Sequence, residues 1–219
     1  MIRQIDQCTK MLNIGEPYFS QAGQDRIVDS ILKKKMGGVF VDVGGFDGRE
    51  GSNSLFFEVF RAWTGILIEA APTSLAKAKA FRRCPCIGAG VAGEPGQMEF
   101  MEITGKMAQL SGFLDSYSPK LLKFAREQPD HNEIIHTLES RRLADILSDQ
   151  KITQADFLSL DVEGGEVGIL ESFPFADFDI DIWSIENNTR TPAIRKIMHE
   201  NGYKRMEFAG VDEIYRKVS

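Results

Sequence analysis

Four acidic residues stand at or beside the ends of apolar runs: Asp42 in VFVDV, Glu69 in GILIE, Asp161 in FLSLD and Glu186 in IDIWSIE. A carboxylate at the end of a buried strand can accept the hydroxyls of a ribose or the protons of an amine. It can also hold a hard cation through oxygen, or take a proton from a reacting hydroxyl. The first of these acids opens a glycine turn, Gly44-Gly45-Phe46-Asp47-Gly48. Glycine permits positive φ and lets a ligand approach the backbone with no Cβ in the way. The spacing Asp42-x-Gly44-x-x-x-Gly48 differs from the fingerprint that binds a dinucleotide pyrophosphate.

Glu69 lies about one helix and one strand beyond Asp42, so a right-handed βαβ crossover sets the two strand ends side by side. There Glu69 can receive both hydroxyls of a ribose. Asp161 and Glu186-Asn187 form a second constellation, open to two readings. They can hold one divalent cation such as magnesium, which lowers the pKa of a substrate hydroxyl. Alternatively Asp161 serves the cofactor or a base network while Glu186 and Asn187 bind substrate hydroxyls. Glu163 and Glu166 stand where they can complement a helix dipole. His131 and His136 are either general bases or structural residues. Gln21, Gln24 and Asp25 read as a solvated first helical turn, with Ser20 as its cap.

The elements that must position these residues alternate. Strands at 39–43, 65–69, 87–91, 157–161 and 180–187 are separated by helical periodicity, with Leu55, Phe56, Val59, Phe60 and Trp63 sharing one face after the first strand. A helix over 192–201 stops at Gly202, and 203–208 with 213–218 form a β-hairpin turning at Ala209-Gly210. This pattern predicts an α/β fold: a Rossmann-like, doubly wound, seven-stranded sheet, mostly parallel with a C-terminal antiparallel hairpin strand. Residues 1–36 are expected to be an arm and a helix packing on the core, and 37–219 one domain. An extra strand over 98–103 and a short one at 133–137 flank residues 104–132, which lose periodicity except for a helix over 120–127. That stretch is the expected substrate-facing insertion.

Bulk properties narrow the classes. The 219 residues carry a net charge of −6, which disfavours a nucleic-acid polyanion as partner. Three cysteines suit a reducing compartment, no apolar run approaches a membrane span, and a cytoplasmic location is expected.

Several segments together resemble the FkbM-type S-adenosylmethionine-dependent methyltransferases: YFSQAGQD at 18–25, FVDVGGFDG at 40–48 with Ser52-Asn53-Ser54 behind it, GILIEA at 65–70, and DFLSLDVEGGE at 156–166. The resemblance runs from Tyr18 to Tyr203. It implies a class I methyltransferase fold, S-adenosylmethionine as cofactor, and O-methylation of a sugar, glycoconjugate or similar small metabolite. By matching position it places Asp42, Gly44 and Gly48 at the methionine end of the cofactor and Glu69 at the ribose; Ala70, within GILIEA, is expected among the cofactor contacts, as is Asn53 for its amide acceptor. Gln21 and Asp25 become pocket wall. Asp161 and Glu163 face the transferred methyl, with Glu186 beside the acceptor. Asp161, Glu186 and Asn187 occupy places similar to the cation ligands of catechol-type enzymes, with Glu in place of Asp. The competing readings are a nicotinamide oxidoreductase, which lacks its glycine fingerprint here, and a cofactor-binding module without catalysis.

Overall fold

A computed structural model describes residues 17–105, 107–117 and 119–218; the expected arm at 1–16 lies outside them. The main sheet has seven strands: β1 (Val39–Val43), β2 (Thr64–Glu69), β3 (Cys86–Gly88), β8 (Gln154–Leu160), β9 (Asp179–Glu186), β10 (Tyr203–Ala209) and β11 (Asp212–Lys217). Their order is β10-β11-β9-β8-β1-β2-β3. β1 is parallel to both β2 and β8, whereas β11 is antiparallel to β9 and to β10. The predicted doubly wound sheet with its C-terminal hairpin is therefore present.

Successive strand side chains point to opposite faces, and the sequence fills both with apolar groups. Phe40, Phe157, Ile182 and Ile214 face α1 (Gln24–Ile31) and α2 (Leu55–Phe60), meeting Val28, Phe56 and Phe57. Val41, Leu158 and Trp183 face the other layer, built from α5 (Leu143–Asp149), α6 (Glu166–Ser172) and α7 (Pro192–Glu200). The helix after β2, α3 (Pro72–Phe81), starts with proline at its first position, where the missing N–H costs nothing. Among the described residues no helix is long and apolar enough to cross a membrane.

The run 87–91, expected as one strand, divides at Ala89. β3 stays in the main sheet, while β4 (Gly90–Val91) joins a second sheet with β5 (Gly96–Thr104), β6 (Gly112–Phe113) and β7 (Asn132–Arg141), in the order β4-β7-β5-β6. The expected short strand at 133–137 is thus the middle of a longer one, paired antiparallel with β5 from Gly96↔Ser140 to Thr104↔Asn132. Between β5 and β7 the chain forms two single 3-10 turns, β6 and α4 (Pro119–Arg126), which packs through Ala125 on Met101 and Ile103. This second sheet and α4 stand over the carboxyl edge of the main sheet.

Candidate active site

A cavity of about 830 Å³ lies between that edge and the second sheet. Its floor is made by the ends of β1, β2, β8 and β9, and its roof by residues 108–116 and 120–124. Gly44 starts the turn after β1 with φ +78, and a Cβ there would lie 1.6 Å from the Asp161 carbonyl oxygen. The glycine allows two neighbouring strand ends to close together. Gly48 (φ +74) packs away from the cavity, against the Arg82 side chain.

Asp42 borders the cavity but is held from beneath. Its Oδ2 accepts from Ser54 Oγ at 2.5 Å and lies 3.9 Å from Arg82 Nη1. Glu69 also borders the cavity, with Oε1 accepting the Ala71 N–H at 2.7 Å and Oε2 the Phe46 N–H at 2.8 Å. Each oxygen keeps a lone pair for a further donor. Burial pushes Glu69 up to about 7, while the backbone donors of Ala71 and Phe46 pull the other way. Asn53 Nδ2 donates to Ser159 Oγ at 2.9 Å, and its Oδ1 is buried with no partner. Gln21 and Ala70 line the cavity.

Opposite Glu69 the wall is acidic. One carboxylate oxygen from each of Asp161, Glu163 and Glu186 lies within 4.8 Å of the other two. β8 and β9 pair in parallel up to Leu160↔Ile185, which brings Asp161 level with Glu186. Glu163 joins them because its backbone is left-handed (φ +58) and Gly164 follows at φ +113, turning the chain back. Asp212 adds a fourth carboxylate: β11 runs antiparallel, so its first residue pairs with Glu186 at the same edge. Burial, then Glu186, Asp212 and Glu166, hold Asp161 well above the usual range. Burial and Asp161 push Glu163 up to about 9, and burial and Glu163 do the same to Glu186. No ion pair among the described residues neutralises Asp161, Glu163 or Glu186; Glu163 Oε2 has Asn188 Nδ2 at 3.4 Å.

Besides Gly48, two expected site residues sit outside the lining. Asp25 is fully buried outside the lining, accepting from the backbone N–H groups of Phe19, Ser20 and Arg26 and from Ser20 Oγ. It braces the segment that carries Gln21, while Ser20 Oγ accepts the Gly23 N–H and Gly23 itself is the helix cap. Asn187 differs from the expected ligand set, because all its side-chain bonding is internal. Its Oδ1 accepts the Thr191 N–H, and its Nδ2 donates to the Thr191 carbonyl and Glu213 Oε1. Glu163 takes its place in the group. The histidines are outside the lining, paired with acids of the second sheet: His131 with Glu133 and His136 with Glu102.

The site also contains residues that sequence reasoning did not single out. Ser159 stands two residues before Asp161 on the same strand face, a signal that alternation supplies. Gln24, read as solvated, lines the cavity and donates to Asp212 Oδ2 at 2.9 Å. Asp212 was sought at no carboxyl end because its strand runs the other way.

Comparison with solved structures finds low-identity similarity to several methyltransferases. One is a TehB-like SAM-dependent methyltransferase from Corynebacterium glutamicum (11% identity, 98% of this chain and 95% of that one, TM-score 0.47). Another is Methyltransferase FkbM from Methylobacillus flagellatus (14%, 82% of this chain, TM-score 0.44), of which this chain spans 43%. A third is the N-terminal domain of human METTL16 in complex with SAH (10%, 89% and 68%, TM-score 0.46). No curated protein matches. The model of the Methyltransferase FkbM domain matches residues 42–205, from the glycine turn to the terminal hairpin. The chain belongs to the FkbM family of S-adenosylmethionine-dependent methyltransferases.

Proposed function

We propose that this methyltransferase is O-directed and acts on a hydroxyl of a sugar, glycoconjugate or similar small metabolite. The observation that carries the reading is the group Asp161, Glu163 and Glu186 on the cavity wall, next to the glycine turn and separated by β1 from Glu69. A hydroxyl must lose its proton as it is methylated, and a carboxylate made more basic by its surroundings is suited to receive it. The roof above offers Gln109, Ser111 and Ser116 for hydroxyl contacts and Phe124 for the apolar face of a ring, and Asn188 after β9 adds a further polar group.

S-adenosylmethionine, when bound, supplies an electrophilic methyl on a sulfonium. The chain's residues fit it: the orphaned Asn53 Oδ1 awaits a donor, Glu69 retains lone pairs for ribose hydroxyls, and the acidic wall favours a positive charge. Gly44, Ala70 and Gln21 would complete the contacts, while Asp42, Gly48 and Asp25 act by holding the turn and the first helix in place.

Methyl transfer from labelled donor to a panel of sugars, glycoconjugates, phenols and amines tests the reading. Labelled O-methyl product is expected, falling at least about 100-fold in Asp161→Asn. Product methylated only on nitrogen, sulfur or carbon would reject it.

Glu69 gives a separate expectation for binding. Its two backbone donors and a ribose suit the ionised form, so donor affinity by calorimetry should rise through about pH 7, by roughly tenfold between pH 6 and 8. In Glu69→Gln that rise should vanish and affinity stay low. The sign for stability is opposite. The folded value lies above the ordinary 4.5, so without donor Glu69 costs the fold nothing below that value and lowers its stability as pH climbs toward 7. A pH-independent wild-type affinity would count against Glu69 as the ribose ligand.

A further inference from the structure

We infer that Asp161, Glu163 and Glu186 bind one hard divalent cation, magnesium or manganese, at the acceptor end of the cavity. The inference rests on reading that wall as the acceptor end. Oxygens that share one cation, each about 2.0–2.6 Å from it, lie no further apart than about twice that bond length. The separations within the group are all inside 4.8 Å, so side-chain shifts of about 0.6 Å at most bring the oxygens within the roughly 4.2 Å that a magnesium ion spans. An all-carboxylate set selects magnesium or manganese over softer metals.

Proximity alone would not identify a site, since acids crowd together on many surfaces. The second observation is Glu186 Oε2. Glu186 is 9% exposed and lines the cavity, yet this oxygen is out of solvent and receives no N–H or hydroxyl donor, its carboxyl facing only the Asp161 carboxyl. A carboxylate oxygen removed from water and left unbonded is costly, and a cation supplies the missing partner. The backbone adds to the case. Glu163 occupies a left-handed conformation that is unfavourable for a non-glycine residue, and this conformation delivers its carboxylate to the group. Asp212 stands beside the group at the same sheet edge, and no basic side chain among the described residues pairs with Asp161, Glu163 or Glu186.

Metal-stripped protein, without methyl donor, is titrated with Mn²⁺ while the paramagnetic resonance of free Mn²⁺ is followed. One ion per chain is expected, displaced by Mg²⁺, with a rise in Tm. Glu163→Gln and Glu186→Gln should each weaken binding at least about tenfold and remove the Mn²⁺-dependent Tm rise. Glutamine keeps the shape of the glutamate side chain, so without metal both variants should melt close to wild type, which separates ligand loss from misfolding. Glu171→Gln, on the exposed side of α6, should bind as wild type.

Absence of Mn²⁺ binding at millimolar concentration, or binding unchanged in both variants, overturns the site. Methyl transfer assayed with and without chelator keeps the two readings apart. Transfer to a hydroxyl that persists in chelator, by protein that binds no Mn²⁺, removes the cation site and leaves the O-methyltransferase. Mn²⁺ bound through these residues, with methylation only of non-hydroxyl acceptors, does the reverse.

Discussion

Replacing Gly44 with alanine is expected to cost about 3–5 kcal/mol of stability and to abolish donor binding. Two penalties combine. At φ +78 an L-residue is strained by about 1–2 kcal/mol. The larger penalty is steric: the new Cβ would lie 1.6 Å from the Asp161 carbonyl oxygen, a backbone atom that no rotamer change can move. The ends of β1 and β8 would have to part, separating the glycine turn from the acidic wall. Gly51→Ala offers the contrast. It too has positive φ, but its Cβ would meet only the flexible Gln21 side chain, so a loss of about 1 kcal/mol is expected. Urea denaturation with donor calorimetry on both variants checks this. A Gly44→Ala protein as stable as Gly51→Ala, binding donor normally, would refute the account.

Arg82→Met is expected to be comparably damaging, by about 3–5 kcal/mol, although Arg82 lies outside the cavity lining. Its guanidinium is fully buried. Nε donates to Glu58 Oε2 at 2.7 Å, Nη2 to Ser54 Oγ at 3.0 Å, and the group lies 5.3 Å from the Phe40 ring. Ser54 in turn donates to Asp42, so one cation supports both carboxylates under the glycine turn. Methionine matches the stem in volume but leaves Asp42 and Glu58 buried beside no positive charge. Burial raises Asp42, and Arg82 and Ser54 draw it back. Without Arg82 its folded value rises further, so the variant should lose least at acid pH, where Asp42 is protonated in both states, and most at neutral pH. Chemical denaturation at two pH values tests this. The double variant Arg82→Met/Asp42→Asn should recover part of the loss. A single variant within 1 kcal/mol of wild type would show that the pairing is not needed.

The main sheet was legible because its strands are buried on both faces and read as continuous apolar runs, each followed by glycine or helical periodicity. Position at a strand's carboxyl end then picked out Glu69, Asp161 and Glu186, all of which border the cavity. The second sheet was hidden for the opposite reason. In β7, Asn132–Arg141, charged, polar and apolar residues mix without clean alternation, and Ile134 and Ile135 are both exposed. The break at Ala89 was equally silent, since nothing in IGAGV announces that a run will serve two sheets. Asn187 looked like a ligand by adjacency to Glu186, yet neighbouring strand residues face opposite ways, and it bonds with the chain leading to α7. Asp25 looked like pocket wall beside Gln21, and local hydrogen bonding claimed it.

The roof departs from the main sheet at Ala89 and returns through β7, and these two points are neighbours: β4 pairs with β7 at Gly90↔Ser140 and Val91↔Arg141. An insert whose two ends emerge side by side behaves as a cassette. Its length and contents can change without moving the strands on either side, because the closure is already made at its base. Exchange of residues 93–139 between relatives should therefore transplant acceptor preference as a unit, while the donor floor and the acidic wall stay with the recipient. Diversification of such a scaffold needs only one splice.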